Sequence, residues 1–219
     1  MFRMIKFEMF KIVRDPVLKI CIMIALLVSF VMLSGTNITI GSFVQKSFLV
    51  SIIASLYAAF YASIDFEDRK ILYLVLSGND RAQIVIAKLT AVFIGTEIIN
   101  FIFPITVFFL CPEWENALKI KIFFSYILLG GVLAAIGELF SWILKRQGIA
   151  ILVTVIFHIG SLLMMNGEKT SNIFLHIVPI VIVKLCLETN SQIMHYMLLG
   201  IWFVILFILT IIISRRSEV

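Results

Sequence analysis

Charge is what this sequence has least of. Of 219 residues only 18 are Lys or Arg and 13 Asp or Glu, so charged side chains make up 14% of the chain while 62% are hydrophobic. Soluble domains carry about 25% charge and about 45–50% apolar residues, and a chain so short of charge cannot cover a soluble surface. Glycine (11) and proline (4) are also scarce, and no Ser- or Gln-rich tract interrupts the chain, which excludes large disordered or fibrous regions. Three cysteines, Cys21, Cys111 and Cys186, are an odd number. Cys111 and Cys186 both fall near the expected outer surface and can pair in an oxidising space, against which stands free apolar packing. Chemical motifs are missing too. G-x-x-x-x-G-K-[ST], H-E-x-x-H and G-x-S-x-G do not occur. The stretch Asn166-Gly167-Glu168-Lys169-Thr170 only mimics a phosphate loop, because Glu168 stands between Gly and Lys. His158, His176 and His195 are too scattered for a metal site. No catalytic group, no metal and no cofactor of its own is expected, nor any nucleic-acid partner, since a basic face on a soluble domain is lacking.

Present instead are long apolar runs rich in Phe, Ile and Leu. They approach the roughly 20 residues that cross a bilayer as helix, and they lack the alternation of barrel strands. They predict an all-α polytopic membrane protein, one transmembrane domain over 1–219, with six spans near 17–34, 43–64, 89–110, 122–144, 149–165 and 195–213. The run Ile173 to Val183 carries Pro179 and stops at Lys184. It is too short to cross and is expected to be re-entrant, within an outer region 166–194. With both termini inside, thirteen of the eighteen cations fall on the cytoplasmic side, which satisfies the positive-inside bias. A cleaved signal peptide fits poorly, because no A-x-A-like site follows the first run.

Residues 1–15 predict an amphipathic interfacial helix. Phe2, Ile5, Met9, Ile12 and Val13 fall on one side of a helical wheel and Arg3, Lys11 and Arg14 on the other, so its cations are expected to face anionic lipid. Asp15-Pro16 then turns the chain into the first span.

The loop 65–88 is far longer than a connection between two spans requires. An acidic-basic cluster, Asp65-Phe66-Glu67-Asp68-Arg69-Lys70, precedes an apolar helical turn or two, and Ser77-Gly78-Asn79-Asp80 stops one helix and caps the next. Here the sequence resembles the permease subunits of type-2 ABC exporters. Glu67, the apolar helix Leu72 to Leu76, Ser77 with Arg81, and Lys88 match that family's pattern in order, whereas Arg69-Lys70 stands where the family usually has Gly-Thr and Gly78-Asn79 where a Pro is common. The resemblance implies a coupling helix that sits in a groove of a separate ATPase subunit, with Glu67, Asp68, Arg69, Leu72, Leu76, Ser77 and Arg81 as contacts. It implies further that the ATPase holds ATP and Mg, and that a second permease copy or a paralogue completes the pathway. The small size and the Lys- and Ile-rich composition resemble permeases of Gram-positive cell membranes that expel antimicrobial or cytolytic peptides, as in lantibiotic immunity. The implied substrate is an amphiphilic peptide, with small hydrophobic drugs as the alternative.

Two carboxylates fall inside predicted spans. Glu97 lies about 12 Å and Glu138 about 9 Å from the inner ends of their helices, so the two are expected to share one polar cavity that His158 can complete. A charge at such depth costs at least about 2.5 kcal/mol, which makes both acids candidates for a substrate pathway. Glu138 also lies on a small-residue stripe with Gly130, Ala134, Gly137 and Ser141, and can instead cement a helix contact. Thr96 and Asn100 are expected to satisfy Glu97 locally. An intramembrane peptidase using Glu138 and His158, and a channel, are the readings from other classes.

Overall fold

The computed structural model describes residues 1–33, 39–110, 113–166, 178–188 and 192–217. Among them the chain forms α-helices and no strand. These are α1 (Phe2–Arg14), α2 (Pro16–Leu33), α3 (Ile40–Glu67), α4 (Lys70–Leu76), α5 (Arg81–Asn100), α6 (Ile102–Leu110), α7 (Asn116–Leu144), α8 (Gln147–Asn166), α9 (Pro179–Glu188) and α10 (Gln192–Arg216). Five segments are long and apolar enough to cross a bilayer: α2, α3, α5 with α6, α7 and α10. This is an all-α protein of membrane-spanning composition.

Helix starts follow local chemistry. Asp15 ends α1 in extended backbone, and its Oδ1 accepts the Val17 amide at 2.9 Å, capping α2, whose first residue is Pro16. Thr39 and Ser42 form a reciprocal capping box on α3. The span expected at 89–110 begins two turns earlier, at Arg81, and is interrupted at Phe101, three residues before Pro104. Proline has no N–H for the carbonyl four residues back, so the helix breaks there. The span expected at 149–165 falls in α8, whose apolar stretch, Gln147–Ser161, is shorter than the other five.

Helices α3 and α7 form the centre. They pack on each other, α3 also on α5 and α8, and α7 also on α5 and α10. Gly137 makes the α3–α7 approach possible, because a Cβ there would lie 2.9 Å from the backbone of Ala58 and Ala59. Helices α2 and α10 lie outside, with apolar side chains such as Leu27, Phe30, Ile201 and Ile205 exposed. The short α9 is too short to cross, at about 15 Å. It runs past Lys184, where the apolar segment was expected to end, and buries Val181, Ile182, Val183, Cys186 and Leu187 against α7, α8 and α10. The rest of the expected re-entrant region, with His176 and the phosphate-loop mimic from Gly167 on, lies outside the described residues, as does Cys111. Cys186 is a buried free thiol.

Helix α1, helix α4 and the last turn of α10 gather at one end of the bundle. Met4, Ile71, Leu74, Val75, Ile211 and Ile213 meet there around Ile84, Val85 and Trp142, in a small apolar core separate from the main one.

Helix α1 is turned differently from its helical-wheel expectation. Ile12 and Glu8 are buried and Lys11 points inward, whereas Phe2 and Val13 join Phe7, Phe10, Arg3, Lys6 and Arg14 on the exposed side. The reason is ionic: Lys11 has acidic partners within the bundle. On the outer side the Arg14 guanidinium stacks over the Phe10 ring at 4.1 Å.

Candidate functional site

The loop from α3 to α5 is built on its backbone. Asp68 closes α3, and Arg69 takes a left-handed conformation, φ +52°, before α4 starts. At the other end Gly78, φ +86°, completes a Schellman cap: its N–H bonds Val75 O at 3.0 Å and the Asn79 N–H bonds Leu74 O at 3.3 Å. The Asn79 amide also donates to Leu74 O (3.0 Å) and to Ser77 Oγ (2.9 Å). Asp80 precedes α5 without a side-chain capping bond. The underside of α4 is fixed by Ile71, which is buried against Ile84, Val85 and Trp142. Its outer side leaves Tyr73 and Leu76 about 70% exposed, at 69% and 72%. Beside them Lys70 donates to Asp68 at 2.5 Å, a bond that holds the exposed ammonium above its ordinary pKa.

Three residues expected at a partner contact are occupied within the chain. Glu67 accepts the Gln147 N–H at the start of α8 (3.4 Å), where a carboxylate suits the positive end of the helix. Arg81 donates to the carbonyls of Ser214 (3.1 Å) and Ser217 and so caps the C-terminal end of α10. Leu72 is half-buried and lines a recess of about 280 Å³ with Asp65, Phe66, Arg69, Ile71 and Lys145. Exposed along the loop are Arg69, Tyr73, Leu76, Ser77 and the Asp68–Lys70 pair, with Glu67 exposed at its edge.

Below the loop lies an ionic cluster that sequence reasoning missed. Asp65, on the last turn of α3, is 1% exposed and meets two lysines: Lys88 of α5 at 3.1 Å and Lys11 of α1 at 3.2 Å. Lys88, also 1% exposed, donates in addition to Ala62 O at 2.9 Å. Lys11 bridges to Glu8 at 3.2 Å, and Glu8 accepts the Tyr61 hydroxyl at 2.9 Å. Two carboxylates and two ammonium groups balance, and each has an oppositely charged neighbour, as burial demands. One side of the cluster is open. Glu8, Lys11 and Asp65 form the floor of a groove of about 560 Å³ whose walls are Phe7 of α1 and Lys70, Tyr73, Leu74 and Ser77 of the α4 segment. The signal was present in the sequence as spacing. Lys88 recurs with Ile84, Val85 and Val92 on one helical face, and a lysine on an apolar face needs an acid opposite.

The three intramembrane candidates do not share a cavity. Because α5 begins at Arg81, Glu97 lies about 24 Å into its helix, whereas Glu138 is about 9 Å from the end of α7. Glu97 rests against Gly130, where a Cβ would lie 2.0 Å from Oε1. Both its oxygens lack a hydrogen-bond partner, and so do Thr96 Oγ1 and Asn100 Oδ1, so local satisfaction fails. Asn100 turns its amide to Tyr126 O (3.3 Å) instead. Glu138 is fully buried and accepts Trp142 Nε1 at 2.9 Å. It thereby steadies the ring that floors α4, and it interacts electrostatically with Lys88, Glu8 and Asp65. His158 belongs elsewhere, with Nε2 at 3.2 Å from Ser51 Oγ and 3.4 Å from Phe48 O. A serine and a histidine at that separation have the reach of a nucleophile and its base. Here both are buried, the Ser51 hydroxyl also bonds Phe48 O, and Nδ1 has no partner to orient the ring. Among the described residues no group of three His, Cys, Asp or Glu converges on a metal position. No protein-family model matches this chain, and no curated protein matches it.

Proposed function

We propose that this chain is the membrane subunit of an ATP-driven exporter and that α4 is the element on which a separate ATPase subunit docks. One observation carries the reading. A short helix is held rigidly at the end of the bundle by a left-handed residue on one side, a Schellman cap on the other and a private apolar core beneath, yet it presents Tyr73 and Leu76 outward. Large exposed apolar groups on a rigid mount suit a protein partner, and aromatic anchors dominate such contacts. The absence of a phosphate loop requires the ATP- and Mg-binding chemistry to come from that partner. In this reading six helices cross the membrane, α8 included, and α9 dips in from the outer side. Both termini and α4 face the cytoplasm, α1 lies along the inner lipid surface, and a second copy or paralogue completes the pathway. Glu97 and Glu138 are the acids that would meet an amphiphilic substrate as the pathway opens, an antimicrobial or cytolytic peptide expelled from a Gram-positive cell or a small hydrophobic drug. Affinity purification of the full chain from its own host tests the reading. The wild type retains an ATP-binding-cassette ATPase, and Tyr73→Ala with Leu76→Glu releases it while leaving membrane insertion intact. Failure of the wild type to retain any ATPase overturns it.

A further inference from the structure

The buried cluster beneath α4 has a geometry that bears on how force leaves the loop. Asp65 stands on the last turn of α3 and Lys88 two turns into α5, with the whole α4 excursion between them. The 3.1 Å contact between these two side chains closes that excursion at its base. The same carboxylate takes Lys11 of α1, a helix that otherwise touches the site only through side-chain packing and the Tyr61–Glu8 bond. We propose that Asp65 is a positioning residue that makes α1, α3 and α5 one mechanical unit at the root of α4, so that displacement of α4 by a docked partner moves three helices together. Resting on the exporter reading for its partner, this assignment names how that partner's motion enters the membrane domain.

Three features set the cluster apart from a packing contact. Apolar side chains of the same volume would join three helices without the desolvation that three buried charges and a half-buried fourth impose. The charged groups that meet Asp65 come from separate elements, Lys11 from α1, where it also holds Glu8, and Lys88 from α5, so moving either is felt at the same carboxylate. Finally, the groove over Glu8, Lys11 and Asp65 leaves Lys11 26% exposed, which gives its ammonium room to change partners as α4 tilts.

Hydrogen–deuterium exchange on the full chain in lipid nanodiscs, with the ATPase that co-purifies, tests the assignment. Asp65→Asn is expected to speed exchange across α1 roughly tenfold while α3 and α5 keep their protection, and Asp65→Glu is expected to restore α1. Adding a non-hydrolysable ATP analogue with Mg is expected to change α1 exchange in the wild type but not in Asp65→Asn, although equal ATPase is retained. Should Asp65→Asn fold poorly, Lys11→Met removes the α1 limb alone, leaves Lys88 on Asp65, and is expected to give the same loss of response. Unchanged α1 protection in both variants, or a wild-type nucleotide response in Lys11→Met, overturns the proposal. If the wild type captures no ATPase the exporter reading falls, and α1 protection by itself then decides whether Asp65 holds the three helices.

Discussion

Lys88 and Glu97 sit on the same helix, nine residues and about 14 Å apart, and meet opposite treatment. Near the α4 end, Lys88, Asp65 and Glu8 each find an oppositely charged neighbour, the lysine reaching Asp65 and Ala62 O, while Glu138 has Trp142 on one oxygen only. Higher on α5, Glu97 has no hydrogen-bond partner for either oxygen, and Thr96 and Asn100 beside it keep idle acceptors. The difference lies in what packs alongside. Helix α1 reaches the α4 end and delivers Glu8 and Lys11 there, whereas Glu97 faces Gly130 of α7, a residue with nothing to donate. The cluster of Glu8, Lys11, Asp65 and Lys88 is paired because α1 brings two of its members, whereas Glu97 meets the neighbouring helix at a glycine.

The contrast is most easily broken at Asp65. Replacement by Ala strands Lys88 in a buried site and is expected to destabilise the protein by about 3–5 kcal/mol, measured by thermal unfolding in detergent or lipid. A loss as small as that of a surface change would mean that the two lysines are hydrated instead of clasped.

Glu138 tests the boundary between the two regions. Glu138→Ala leaves Trp142 Nε1 without its acceptor and is expected to cost about 1–3 kcal/mol, with a shift in Trp142 emission. Glu138→Gln keeps an accepting oxygen and is expected to stay close to wild type in both measurements. Equal losses in the two variants would show that charge, and not the hydrogen bond, matters at this position.

In the unsatisfied region effects shrink. Gly130→Ala places a methyl group on the Glu97 carboxyl, which must rotate away at about 1 kcal/mol, and a double-mutant cycle with Glu97→Ala is expected to recover that cost. Glu97→Gln exchanges one unpartnered polar group for another of the same shape, so the unfolding temperature is expected to change by the equivalent of no more than about 0.5 kcal/mol. If stability falls instead, a donor reaches the carboxyl; on the exporter proposal, a fall in reconstituted transport alone assigns it to the substrate.

Much of the architecture was legible because apolar run length is a direct readout of helix length, and the α4 loop stood out by its length and its Ser77-Gly78 stop. Side-chain partners were not legible. Nothing local to Arg81 announces that it will cap α10, some 133 residues later, and the wheel of α1 placed Lys11 outward because a wheel contains no Asp65. The helix start at Arg81 was hidden for a related reason. Lys88 reads as the charge that opens a span, yet it lies two turns inside a helix, held by a carboxylate from another helix, so Glu97 stands about 24 Å from the start of that helix.

Arg69 and Gly78 bracket α4 with left-handed backbone, and the Schellman bonds between them use peptide groups only. The shape of the mount is thus written in main-chain angles and in the buried Ile71, while Tyr73 and Leu76 contribute nothing to holding it. Frame and face are separable: the exposed positions can be replaced without refolding the loop.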